Sequence, residues 1–106
     1  MRKEKTPVTL QDIEDAVADW EEAVRWIVKG WDCIEEYTHD LFARETLDKD
    51  LADYGDRELP DELRQRIVRA DQTFRELTDE SNRCVWGDAS KYDPTRYWYY
   101  YRWQRT

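Results

Sequence analysis

The 106-residue chain contains one histidine and two cysteines, and it lacks a glycine-rich phosphate loop, a nucleophile elbow and any Cys-x-x-Cys motif. With His39 alone, most general-base and nucleophile-activation schemes fall away. Cys33 and Cys84 are too few for a disulfide framework and suit a reducing compartment as half-buried thiols. No run approaches the ~18 consecutive apolar residues that a membrane span needs, and Met1 to Thr9 have no apolar signal core. These absences lead us to expect a cytoplasmic, non-enzymatic protein with no cofactor, no bound metal and no membrane contact. Large aliphatics are scarce in a chain that is 40% charged, so its six Trp, seven Tyr and two Phe must supply most of the core.

The net charge of -8 is unevenly spread. Residues 10–62 hold 18 acids against five bases, whereas both the segment before and the segments after them are slightly basic. An anionic first half argues against direct nucleic-acid binding and favours a protein partner with a basic surface.

Leu10, Ile13, Val17, Trp20, Val24, Ile27, Trp31, Ile34 and Leu41 alternate in steps of three and four, interrupted only by Thr38. That seam predicts one long acidic helix over 9–43. Thr9 and Asp12 form a capping box at its start, with Val8 and Ile13 placed as a hydrophobic staple. Ala16, Ala23 and Gly30 recur every seven residues beside the seam, so Gly30 reads as a close helix contact. Beyond Phe42 the register fails, which predicts an end or kink near 43–47 and a short helix over 46–54 closed by Gly55. A second main helix is predicted over 60–86, from Pro60 through Leu63, Ile67, Ala70, Phe74, Leu77 and Cys84, with poor helix formers from Thr78 to Asn82. No stretch reads as a run of strands.

The fold expectation is therefore a single all-α domain: a long helical hairpin with a short connector helix and an aromatic arm over 88–106. At 1.5 Å per residue the first helix would span roughly 50 Å and the second about 38 Å, so the second cannot cover the first. Either the arm or a second copy must cover the remainder. We expect a homodimer forming a helical bundle through a seam of Ala16, Trp20, Ala23, Ile27, Gly30 and Trp31.

Three features bear on function. The arm mixes Tyr97, Trp98, Tyr100, Arg102 and Trp103, residue types enriched at interface hot spots. Trp26 lies off the main seam, where a large ring has no evident intrachain reason. The doublets Glu21-Glu22 and Glu35-Glu36 belong to the excess of acids. Together they predict a protein-binding module that regulates or inhibits a larger basic or nucleic-acid-handling protein. One alternative is a ferritin-like metal-binding bundle, because Glu36 and His39 make a Glu-x-x-His element, although the heptad puts both on the outer face. Another is a structural assembly subunit that docks through its arm.

Overall fold

The structure is a computed structural model that describes residues 8–30, 34–55, 58–87 and 89–104. Three helices, α1 (Leu10–Lys29), α2 (Ile34–Tyr54) and α3 (Asp61–Leu77), are followed by a two-stranded sheet of β1 (Thr78–Glu80) and β2 (Arg102–Gln104). Two 3-10 turns, Ala89–Lys91 and Trp98–Tyr101, lie between the strands. Among the described residues no helix is long and apolar enough to cross a membrane.

The start of α1 follows from its local chemistry. Asp12 N–H donates to Thr9 Oγ1 (3.2 Å) and Thr9 N–H donates to the Asp12 carboxylate (2.9 Å), which satisfies donors the helix leaves open. Its apolar face, from Ile13 through Val17, Trp20 and Val24 to Ile27, is buried against both α2 and α3. Trp20 is fully buried with its ring edge on Phe74 of α3, centroids 5.3 Å apart.

The long first helix is corrected to two. Gly30 adopts φ +88°, and its N–H donates to the carbonyls of Trp26 and Ile27 (3.1 Å each), closing α1. A positive φ is strained for a residue with a Cβ, so this glycine ends a helix instead of admitting a neighbour. The apolar spacing runs in phase through the break, which is why it reads as continuous. Trp31 and Cys33 lie outside the described residues.

The homodimer seam is corrected with it. Ala16, Trp20, Ala23 and Ile27 are all buried within a single chain, so the seam needs no second copy to cover it.

The predicted end near 43–47 and the separate helix over 46–54 are corrected as well, because α2 runs unbroken from Ile34 to Tyr54. The apolar register fails there because Arg44 and Glu45 are buried polar residues. Gly55, at φ +72°, ends α2 with its N–H on the Leu51 carbonyl (3.1 Å).

The helix expected over 60–86 ends at Leu77. Thr78 turns extended (φ -132°, ψ 160°), and its hydroxyl donates back to the Phe74 carbonyl (2.8 Å). Thr78 then opens β1, which pairs antiparallel with β2 in the register Thr78↔Gln104, Asp79↔Trp103 and Glu80↔Arg102. Among the described residues the chain is mostly helical, as expected, and this small sheet is the departure from an all-α fold. It forms because the arm folds back onto the end of α3.

Candidate functional site

Two surfaces hold the residues singled out by the sequence: the arm, and the outer face of α1.

The arm is tied down by a buried polar network. Arg44 on α2 grips Asp71 on α3 with two parallel bonds, Nε to Oδ1 (2.9 Å) and Nη2 to Oδ2 (3.0 Å). Its Nη1 reaches Asp48 one turn along α2 (2.5 Å), and Trp20 Nε1 of α1 donates to the same Asp71 oxygen (2.9 Å). All three helices therefore converge on one carboxylate. Burial works against the Arg44 charge, but the hydrogen bonds and charges of Asp71 and Asp48 outweigh it and hold the guanidinium above its ordinary pKa.

Two of the arm's tyrosines bond to acids of α2, Tyr99 joining this network through Asp48 and Tyr100 reaching the neighbouring Glu45. Tyr99 OH donates to Asp48 Oδ2 (2.8 Å), and Tyr100 OH donates to Glu45 Oε1 (2.6 Å). Burial first, and the adjacent carboxylates second, push both hydroxyls above the usual tyrosine range. Tyr37 on α2 reaches the Arg102 carbonyl (2.5 Å), and burial raises its pKa too. Among the described residues no buried side-chain polar atom lacks a hydrogen-bond partner. These bonds hold the arm against α2 and α3.

Each arm residue predicted to meet a partner is engaged inside the chain. Tyr100 is fully buried, which corrects its assignment as a contact residue. Arg102 sends its guanidinium to the Arg75 carbonyl (3.1 Å) and to Thr78 Oγ1 and the Thr78 carbonyl (2.9 Å each), a cation capping the C-terminal end of α3. Trp98 sits on Phe74 (5.9 Å) with the Arg75 guanidinium 4.0 Å from its ring centre. Trp103 donates from its indole to the Arg83 carbonyl (2.9 Å), and the Arg83 guanidinium lies 4.3 Å from its ring. Tyr97 stacks on Tyr100 at 6.0 Å. Trp98, Trp103, Tyr97 and Arg102 all keep part of their surface, but each is braced by its own chain.

The outer face of α1 is different. Asp12, Asp15, Asp19, Glu22 and Trp26 are all exposed. At 100° per residue they fall within an arc of about 80°, so they form one stripe along the helix. Trp26 ends it with 51% of its surface open and Lys29 Nζ 4.8 Å from its ring.

The other predicted acids are scattered. Glu21 lies on the opposite flank, half-buried and bonded to Arg66 of α3 at both carboxylate oxygens (2.6 and 3.1 Å). The hydrogen bond from Arg66 keeps the Glu21 pKa below its ordinary value despite partial burial. Glu36 and His39 are exposed on α2, outside the packed interior between helices in which a bundle metal site is built. The side chain of Glu35 lies outside the described residues.

Arg44, Glu45, Asp48 and Asp71 were missed by sequence reasoning. The available signal was the failure of the apolar register at Arg44 and Glu45, which marks polar residues inside a helix as well as it marks a break. The stripe had a signal too, since its acids share the three-four spacing that leads to Trp26. No protein-family model matches the chain, and no curated protein or solved structure matches it either.

Proposed function

We propose that this chain is a non-enzymatic protein-binding module whose contact surface is the outer face of α1. The observation that carries the reading is a half-exposed Trp26 at the end of a stripe of four exposed acids. Such a stripe addresses a basic protein surface: its field speeds and orients the encounter, while the ring supplies the desolvated anchor that sets residence time. The partner class is a larger basic or nucleic-acid-handling protein, which the module regulates or inhibits by covering its basic face. A cytoplasmic setting fits the free, buried thiol of Cys84.

The test is capture by the immobilised chain from its own host's lysate, eluted by a salt gradient, alongside the variant Asp15→Lys/Asp19→Lys/Glu22→Lys. One stoichiometric partner, released as salt rises and absent from the variant, supports the reading. A partner held equally by both proteins overturns it.

A further inference from the structure

A groove runs between α1 and α3 on the flank of α1 away from the stripe. Val24, Val28 and Ala70 give it an apolar lining, Arg25, Arg66 and Arg69 a positive one, and it encloses about 430 Å³. A second depression of about 360 Å³ shares Arg69 and extends past Val68 and Arg64. Val28 and Val68 are 60% and 61% exposed, open apolar side chains in a basic setting. Glu21 is the one carboxylate in the two linings, and it is already bonded to Arg66.

Arg25, Arg64 and Arg69 make no ion pair among the described residues, although the chain has 25 acids against 17 bases. Glu21 lies near enough to feel the Arg25 and Arg69 charges, but its hydrogen bonds go to Arg66. Cations without an ion pair of their own among the described residues, set around open valines, fit an anionic surface that also carries a large apolar side chain. The chain displays such a surface itself. Asp15, Asp19 and Glu22 supply the charge and Trp26 the ring; Asp15 accepts an exposed bond from Gln11 of its own helix (3.0 Å) and Lys29 lies beside the Trp26 ring, while among the described residues none of the three acids makes an ion pair.

We propose that the groove receives the acidic stripe of a second copy of this chain, with Trp26 over the valines and the stripe's acids on Arg25, Arg64 and Arg69. The dimensions agree: Asp15 to Trp26 covers about 17 Å of helix, and Arg64 to Thr73 about 14 Å. On α1 the groove's residues lie about 100–160° around the helix from Trp26, so one copy's stripe meets the next copy's groove. The contact is heterologous, head to tail, and does not close at a dimer by itself. The proposal rests on the stripe of the preceding section and adds a consequence: a stripe seated in a neighbour's groove is closed to an outside partner.

Sedimentation of the full chain over micromolar to millimolar concentration, at low and at high salt, tests it. At low salt the average mass exceeds that of one chain and climbs with concentration; at high salt it returns to one chain. Arg25→Glu/Arg69→Glu and Asp19→Arg/Glu22→Arg each weaken association by more than about tenfold, because like charges then face each other. Both pairs are exposed, so the helical circular dichroism stays unchanged. An equimolar mixture of the two variants regains association, since the reversed groove meets the reversed stripe. A wild-type chain that stays single throughout overturns the proposal, as does association that survives either reversal or a mixture that stays dissociated. Arg25→Glu/Arg69→Glu leaves the stripe intact. If that variant associates like wild type while stripe reversal still abolishes partner capture, the groove proposal fails and the partner reading stands.

Discussion

Trp26 and Trp98 each have a cation from the same chain beside the ring, Lys29 at 4.8 Å and Arg75 at 4.0 Å. On their other sides they part company. Trp98 rests on Phe74 and Tyr99 with centroids at 5.9 and 5.5 Å, while Trp26 has no ring neighbour among the described residues. Both belong to residue types that recur at interface hot spots, so composition alone treats them alike. What separates them is whether the chain's own elements supply a cover. The arm is built around carboxylates bonded to its tyrosines, whereas among the described residues the acids on the outer face of α1 make only local bonds, Asp12 with Thr9 and Asp15 with Gln11. One region holds the molecule together, and the other is open to be held.

The comparison is broken most severely at Arg44. Arg44→Ala strips the counter-charge from the largely buried Asp71 and from Asp48, which is about a quarter exposed; the Asp71 pair dominates, and removing one partner of a buried pair costs about 3–5 kcal/mol. Denaturant melts should show that loss, together with weaker near-ultraviolet signals from the arm. A loss below about 1 kcal/mol would mean that water serves these carboxylates as well as Arg44 does.

The next effect in size lies in the arm's hydroxyls. Tyr99→Phe keeps the ring and removes a hydrogen bond to a charged acceptor, a change of about 1.5–3 kcal/mol. pH reaches the same groups together. Burial holds Tyr37, Tyr99 and Tyr100 protonated in the fold beyond the ordinary tyrosine value of about 10. Above that value the unfolded chain sheds protons that the folded chain keeps, so stability falls as pH rises and is unaffected by these hydroxyls below it. Alkaline unfolding and tyrosinate absorbance should therefore appear in one cooperative step. Separate transitions would show that the arm detaches alone.

Smaller still is Glu21→Gln. Its bonds to Arg66 are well formed, but both side chains are about a quarter exposed, and such a pair is worth no more than about 1 kcal/mol. Because the Glu21 pKa is lowered in the fold, this contribution is present above the ordinary glutamate range and disappears as pH falls through the lowered value. The smallest effect on stability is expected for Trp26→Ala, within about 0.5 kcal/mol, as for an exposed residue with no structural duty.

These effects follow the same line that divides what the sequence discloses. Local chemistry was legible: the Thr9–Asp12 capping box, the stripe of Leu63, Ile67, Ala70 and Phe74 on α3, and the poor helix formers after Leu77. Gly30 was not, because the apolar spacing of α1 continues in phase beyond it and hides a helix end inside an unbroken pattern. The continuity of α2 was hidden for the opposite reason. Arg44 and Glu45 break the apolar register while buried, and besides Asp48 and Lys49 one turn along α2 that burial is satisfied by Asp71 and Tyr100, far along the chain. The run of aromatics in the arm favours a strand locally, as Pro94 favours a short helix, but the strand at Arg102–Gln104 pairs with Thr78–Glu80 across more than twenty residues, a partner that propensity does not identify. Hot-spot composition drew attention to both Trp26 and the arm, but it carries no information about cover. Cover is a property of the fold.

The central claim is that the exposed face of α1, through Trp26, is the surface a partner reads. Capture from the host's lysate at low salt should be compared for wild type, Trp26→Ala and Phe42→Ala, since Phe42 on α2 is a ring of similar exposure, 46% against 51%. The account predicts that Trp26→Ala loses the partner while Phe42→Ala retains it, with circular dichroism the same for all three. A partner bound equally well by Trp26→Ala, or lost equally by Phe42→Ala, would contradict it.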